Sequence, residues 1–230
     1  MERKFTEEEG LDTKEVAEAY SRLQKIYHFW ICRPQINTVL RIAKKIQSQK
    51  QAEGGVSILD IGCGPGQIPI DIAKRLADCK VTAVDISSNM LEVARNNAKV
   101  AGVLDRVSFK LADGNKLGFA DNSFDIVMCS NMLHHQKNPY ALLSEMKRTV
   151  NKGGVIVIVD IVRPPSRFIV NMLAAALGFW QTKIMKEDYR ASFYSAFSIE
   201  EFKGMLESAG LQNSIFRKFF PYSVIIVNGK

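Results

Sequence analysis

The string Ile58-Leu59-Asp60-Ile61-Gly62-Cys63-Gly64-Pro65-Gly66 constrains this chain more than any other segment. An apolar run enters three glycines, and a helical pattern follows from Gln67. Glycines tolerate positive φ and let a ligand lie against bare backbone. The helix start beyond them offers unpaired N–H groups. A loop of this kind at the carboxyl edge of the first strand is where open α/β sheets bind nucleotides. The spacing is G-x-G-x-G, and Gln67 stands where a dinucleotide-binding loop has its third glycine. Asp60, two residues before the first glycine, repels a pyrophosphate. Together these features point away from a dinucleotide and to a ligand without phosphate, a cationic one among those admitted. A sharp strand-to-helix turn with no ligand is the plainer alternative.

The rest of the chain follows the same plan. Short β-branched runs at Ser57–Ile61, Lys80–Asp85, Val107–Leu111, Phe124–Cys129 and Val155–Asp160 alternate with helical stretches at Gln67–Ala77, Asn89–Ala101 and Pro139–Val150. Apolar strands alternating with helices predict a parallel sheet covered on both faces. Asn138 and Pro139 suit the start of the third of these helices, and Gly153 lies just past its end. Ser198 and Glu201 form a capping box before a final helix closed by Gly210. The last two runs, Ser214–Phe219 and Tyr222–Val227, are separated only by Phe220-Pro221, too short for a parallel crossover. The expected fold is therefore a doubly wound, mostly parallel seven-stranded sheet ending in an antiparallel hairpin. Ahead of it, residues 1–54 read as a helical cap: Asp12 and Glu15 form a capping pattern, and Pro34 suits the first turn of a second helix. Residues 55–230 form the main domain. Its segment 163–197 is too long for a simple connection and reads as a small helical lobe. That lobe is rich in aromatics, including Phe168, Phe179, Trp180, Tyr189, Phe193, Tyr194 and Phe197, a lining suited to an apolar small molecule or simply to packing.

Two further acidic residues mark the ends of strands. Asp85 follows Gly66 by nineteen residues and can accept both hydroxyls of a ribose; a helix cap is its alternative, though Ser87 or Ser88 already fills that role. Asp113, before Gly114, can accept from an adenine amino group or merely make a turn. After the fourth strand come Ser130, Asn131, His134 and His135. Adjacent histidines on an extended chain cannot both face one cavity, and His134 is either a base or a packed structural histidine.

Composition narrows the class. Hydrophobic residues at 47% and charged residues at 24% are globular values. Cys32, Cys63, Cys79 and Cys129 form no CxxC pair, and with three histidines no metal site is expected. Scattered thiols and a charged amino terminus without an apolar core fit a cytoplasmic protein. The net charge of +7 permits an acidic ligand or a membrane surface and demands no nucleic acid.

The strings ILDIGCGPG, VDIS, ADGNKLGFADNSFDIVMCSNMLHH and VNKGG resemble those of class I S-adenosylmethionine-dependent methyltransferases, a Rossmann-like fold. Within that class they are similar to the ubiquinone/menaquinone-biosynthesis-like small-molecule group. The resemblance covers residues 55–160 and is specific for the cofactor, not the acceptor. It implies that Gly62, Cys63, Gly64 and Gly66 line the methionine part of S-adenosylmethionine, with Asp60 near its ammonium. It implies Asp85 on the ribose, Ile86 and Met90 against the adenine, Asp113 and Gly114 at the adenine amino group, and Ser130 and Asn131 near the methyl group. Asn151-Lys152-Gly153-Gly154 departs from the more usual Lys-Pro-Gly-Gly, which touches a turn and not the chemistry.

The expected reaction is in-line methyl transfer to a small, partly apolar molecule, yielding S-adenosylhomocysteine. His134, Asp160 and Tyr194 are the candidate bases. Methylation of RNA or protein, or binding without turnover, are the alternatives; a NAD-dependent oxidoreductase is disfavoured by the glycine spacing. A peripheral membrane contact by the Phe168–Trp180 stretch, and a monomer or a homodimer, are all compatible with the sequence.

Overall fold

The structure is a computed structural model and describes residue 3 and residues 13–27, 32–50, 55–177, 183–219 and 222–229. Seven strands form one sheet in the order β3-β2-β1-β4-β5-β7-β6. They are β1 (Val56–Ile61), β2 (Cys79–Asp85), β3 (Val107–Leu111), β4 (Phe124–Ser130), β5 (Val150–Ile161), β6 (Ile215–Phe219) and β7 (Ser223–Gly229). The first five run parallel, and β7 lies antiparallel between β5 and β6. The chain moves outward from β1 to β3, then returns to place β4 on the other side of β1. That reversal opens a crevice at the carboxyl ends of β1 and β4, the position where such sheets bind ligands.

Helices cover both faces. α2 (Arg33–Gln49), α3 (Gln67–Arg75) and α4 (Ser88–Ala101) press Ile36, Val39, Ile72 and Leu91 onto one face. α5 (Pro139–Thr149) and α8 (Ile199–Ser208) press Leu142, Met146, Phe202 and Leu206 onto the other. The helix starts follow the sequence. Ser87 accepts from the Met90 N–H, Asn138 accepts from the Tyr140 N–H, and Ser198 and Glu201 bond reciprocally as a capping box. At α1 (Lys14–Tyr27) the observed cap is Thr13, whose Oγ1 accepts from the Val16 N–H at 3.3 Å; Asp12 lies outside the described residues.

Gly153 does not close α5. That helix stops at Thr149, and β5 begins at once. The register between β4 and β5 shifts between Phe124 and Ile126, pairing them with Val150 and Val155. Gly153, at φ 77°, sits in the resulting bulge. A side chain on Gly154 would come within 2.8 Å of the Asp125 carbonyl.

Between β5 and α8, α6 (Arg167–Leu177) and α7 (Lys183–Ser195) pack on each other. The ends of this segment are joined: Val162 bridges Phe197, and the Arg163 N–H donates to the Phe197 carbonyl at 2.9 Å. Phe193 and Phe197 are buried and serve packing, whereas Phe168 is 76% exposed. Phe179 and Trp180 lie outside the described residues, as does the side chain of Tyr189.

At the amino edge of the sheet, Asp125 anchors β4 to its neighbours. Its carboxylate accepts from Ser57 N (2.8 Å), Ser57 Oγ (2.8 Å), Lys50 Nζ (2.7 Å) and Asn151 Nδ2 (2.9 Å). Burial works to raise its pKa, but the Lys50 ion pair and the Ser57 and Asn151 bonds outweigh it and hold the group below its ordinary value. Asp125→Ala leaves several of these donors unmatched and is expected to cost about 2–4 kcal/mol. A thermal melt should show Tm lowered by roughly 5–15 °C. An unchanged Tm would mean that the four bonds are replaced by solvent without loss.

Candidate active site

The glycine loop is built by β1 running into α3. The Gly62 and Cys63 N–H groups both donate to the Val84 carbonyl, at 2.8 and 3.0 Å, so the loop leaves β1 still tied to β2. Gly62 and Gly64 then take φ of 72° and 52°, a conformation that disfavours side chains. A Cβ on Gly62 would meet the Met132 sulfur at 2.7 Å, and one on Gly114 would meet the Met132 methyl at 2.8 Å. Met132 therefore lies between the loop after β1 and the turn after β3.

Asp85, at the end of β2, faces this loop. One carboxylate oxygen accepts from the Gly64 N–H at 2.7 Å and the other from the Ser87 N–H at 3.0 Å. Both bonds come from backbone, so the carboxylate is fixed in orientation. The expected helix-cap alternative fails, because Ser87 supplies the cap.

A cleft of about 440 Å³ opens beside these groups. Of the residues predicted from sequence, Gly62, Gly64, Asp85, Ile86, Met90, Asp113, Gly114 and Asn131 line it. Ile86 is an exposed apolar side chain on its wall. Asp113 holds a tight turn, its Oδ1 accepting from Asn115 N and Nδ2 at 2.8 and 3.0 Å. Asn131 adopts φ 50° and donates its N–H to the Val159 carbonyl at 2.8 Å.

Other predicted residues stand behind the wall. The Cys63 side chain is buried, so only its backbone can face a ligand, and burial raises its thiol pKa. Gly66 and Ser130 are likewise outside the lining, as is the half-buried Tyr194 on α7. Asp60 is 1% exposed, and neither carboxylate oxygen has a hydrogen-bond partner. Burial first, and the nearby Asp85 charge second, push its pKa up to about 7.

His134 and Asp160 form a buried pair. Asp160 accepts from the His134 ring through Nδ1 at 2.5 Å, from the His134 N–H at 3.2 Å and from the Ile161 N–H at 2.7 Å. The chain around them is a 3-10 turn (Leu133–His135), not an extended segment. The two imidazoles therefore lie together, centroids 3.8 Å apart; His134 is buried and His135 lines the cleft. Arg3 secures this turn. Its guanidinium donates to the carbonyls of His134 (3.2 Å), Gln136 (3.2 Å) and Ser195 (2.7 Å), and it lies 4.0 Å from the centre of the Phe197 ring.

Sequence reasoning missed several lining residues. Val16 and Tyr20 of α1 fall on an apolar helical stripe that reads as core packing. His135 and Gln136 carried no signal separate from His134. Behind the cleft wall, Gln35 of α2 is fully buried and bonded to Ser130, and no sequence signal marked it. Among the described residues, no cluster of three or more His, Cys, Asp and Glu side chains could hold a metal ion. Among them, too, no helix is long and apolar enough to cross a membrane.

Known proteins resemble this chain in sequence and in fold. A demethylmenaquinone methyltransferase from Staphylococcus aureus is 30% identical over 214 residues, covering 89% of this chain and 85% of that one. The 27-O-demethylrifamycin SV methyltransferase of Amycolatopsis mediterranei is 28% identical over 172 residues, covering 75% and 60%. The chain spans 44% and 60% of the length of two of the curated relatives it matches. A SAM-dependent methyltransferase from Aquifex aeolicus has the same fold, with a TM-score of 0.60 at 19% identity, covering 81% of this chain and 88% of that one. The family described as Methyltransferase domain matches residues 52–210, and the chain belongs to that family.

Proposed function

We propose that this protein is an S-adenosylmethionine-dependent methyltransferase acting on a small, partly apolar molecule. The observation that carries the reading is Asp85, held by two backbone N–H groups beside a bare glycine loop at the β1/β4 crevice. The residues fit the cofactor. A buried carboxylate with no partner, Asp60, suits a ligand that brings positive charge, and the open backbone at Gly62 and Gly64 suits close approach. When bound, the cofactor supplies a sulfonium methyl group, an electrophile already activated for displacement.

This chain's residues hold and orient. Asp85 accepts from the ribose hydroxyls, Ile86 and Met90 enclose the adenine, and Asp113 and Gly114 meet its amino edge. Gly62, Cys63, Gly64 and Gly66 shape the path of the methionine part, which ends near Ser130 and Asn131. Positioning the acceptor in line can supply about 7–11 kcal/mol of the barrier. Asp160 accepts from Nδ1 of His134 and so makes Nε2 the basic nitrogen of the ring. Of the candidate bases His134 is the one so oriented, with Asp160 as its partner; its ring is buried, and His135 beside it is the imidazole that lines the cleft. Tyr194 stands on α7 of the lobe, which we assign to the acceptor side. The names carried by the relatives favour a small molecule over RNA or protein.

Four outcomes test this reading. Asp85→Ala should weaken S-adenosylmethionine by roughly 10- to 100-fold in calorimetry, the worth of charge-assisted hydrogen bonds of about 1.5–3 kcal/mol. NAD should bind no tighter than the cofactor in either protein; tighter NAD binding would sink the assignment. His134→Gln should lower kcat by about 10²- to 10⁴-fold, the range of general-base catalysis. If kcat is unchanged, the acceptor needs no base and His134 is structural.

The fourth outcome concerns pH. Asp60 must be ionised to attract the cofactor's cationic groups, yet its pKa without them is about 7. The groups around it are Asp85, which repels, and the neutral thiols of Cys32, Cys63 and Cys129. Binding therefore releases a proton below pH 7, and affinity rises with pH through that window. S-adenosylmethionine should bind about tenfold more weakly at pH 6 than at pH 7.5, and Asp60→Asn should abolish the difference. A flat profile in the wild type would show that Asp60 stays neutral when the cofactor binds.

A further inference from the structure

An arginine near a chain end ordinarily stands in water, because ordering its long side chain costs conformational entropy. Arg3 is held at four points. Its Nε donates to the Ser195 carbonyl at 2.7 Å, and its Nη2 donates to the carbonyls of His134 and Gln136, each at 3.2 Å. The guanidinium carbon lies 4.0 Å from the centre of the Phe197 ring. These partners belong to elements far apart in sequence: the 3-10 turn after β4, and the end of α7 in the lobe. The planar fork of an arginine suits the task, since donors on separate nitrogens reach separate carbonyls, and the point charge of a lysine cannot do so. Burial weighs most heavily against the charge, and the Glu201 and Asp160 carboxylates support it.

A second arginine shows what is particular to Arg3. Arg163 also serves the end of α7, donating to the Ala196 carbonyl at 3.3 Å and pairing with Glu201 at 2.8 Å. Its own N–H reaches the Phe197 carbonyl at 2.9 Å. Cations at this end of a helix complement its dipole. These bonds of Arg163 fasten the lobe to β5 and α8. Arg3 adds a hydrogen-bonded link from the lobe to the histidine turn.

The turn is where that link acts. His135 and Gln136 line the cleft, and the His134 ring lies against that of His135 while bonded to Asp160. Asp160 holds the turn by the His134 N–H at 3.2 Å, and Arg3 holds it by its carbonyls. The Gln136 side chain carries the connection further: its Oε1 accepts from Asn115 Nδ2 at 3.1 Å, in the turn that Asp113 forms. A 3-10 turn of three residues has little stability of its own, so its outline follows from these outside contacts.

We propose that Arg3 is a positioning residue for the acceptor side of the cleft: by tying the Leu133–His135 turn to the end of α7, it holds His135 and Gln136 as one fixed wall and keeps His134 seated on Asp160. The inference rests on the methyltransferase reading given above, in which the lobe and the turn face the acceptor. It makes the third residue of the chain part of the site, although the family match covers residues 52–210.

The test follows the turn itself and needs no acceptor. Hydrogen exchange reads the His135 and Gln136 N–H groups, which bond to the Met132 and Leu133 carbonyls inside the turn. Nitrogen NMR reads the His134 ring, one of three histidines in the chain. Arg3→Met keeps an unbranched stem and removes the fork. Exchange in the turn should rise about 10- to 100-fold, the worth of hydrogen bonds from a charged donor, while the strands keep their wild-type exchange. The His134 ring should lose its single Nδ1-protonated signature. Arg3→Lys, which keeps the charge, should show the same losses and serves if Arg3→Met does not fold. Arg163→Met should loosen the end of α7 and leave the turn as it is. Unchanged exchange in the turn, an equal rise across all strands, or an unaltered His134 ring would each overturn the proposal, as would a turn loosened equally by Arg163→Met. S-adenosylhomocysteine, followed by calorimetry, should bind Arg3→Met within about threefold of the wild type; a larger loss would place Arg3 on the cofactor side and overturn the acceptor assignment. Failure of the wild type to bind it would overturn the cofactor reading, whatever the exchange shows, and the acceptor role of Arg3 with it.

Discussion

The site depends on two backbone N–H groups donated to one carboxylate. Asp85 terminates β2, and its two oxygens reach Gly64 in the loop after β1 and Ser87 at the start of α4. Three separate elements are therefore held at one point. The bond to Gly64 requires the loop to turn back on itself, and φ of 72° and 52° at Gly62 and Gly64 permit that. Ser87 in turn caps α4 through the Met90 N–H, so the helix start and the carboxylate are set together. Removing the glycines would move the N–H away from Asp85. Removing Asp85 would leave the loop with no partner on its ligand side.

This economy explains which parts were legible in the sequence. Local devices announce themselves: the G-x-G-x-G string, Asp85 at its fixed distance from it, Asn138-Pro139 and Ser198–Glu201 all act on neighbours within a few residues, and each appears where it was expected. The alternation of strands and helices also fixed the sheet, including its antiparallel end. Features that arise between distant elements left no trace. Gly153 reads as a helix terminator, yet it serves a bulge that exists only because β4 and β5 are out of step. His134 and His135 read as alternating outward and inward, because nothing in the sequence shows that the chain tightens into a 3-10 turn there. Tyr20 reads as core, and it becomes part of the cleft only because α1 packs beside α4 and the glycine loop. Gln35 finds its hydrogen-bond partner in a serine ninety-five residues away.

Three buried carboxylates on adjacent strands differ in how the fold compensates them. Asp125, at the amino edge, receives donors from Ser57, Lys50 and Asn151. Its charge is compensated within the protein, as a structural group requires. Asp160, at the carboxyl edge, receives two backbone N–H groups and one imidazole, so it is compensated by a side chain that can itself change protonation. Asp60 receives nothing and sits beside another carboxylate.

Hydrophobic burial cannot account for this gradient, since all three positions are equally closed to solvent. What differs is the edge of the sheet. Helix starts and strand ends at the carboxyl edge could readily have supplied Asp60 with a donor, as the neighbouring Gly64 N–H does for Asp85. Leaving it bare costs stability at any pH where it is ionised, because its folded-state pKa of about 7 lies above the ordinary 3.8. The sign follows directly. Below the ordinary value the group is protonated in both states and the cost vanishes. It grows as the pH rises from there towards 7. In the reading proposed above, a cation held near Asp60 would offset that cost, so the energy withheld from the free protein would become binding energy for a positively charged ligand. A neutral nucleoside would recover none of it, and charge would then separate the two before any acceptor arrives.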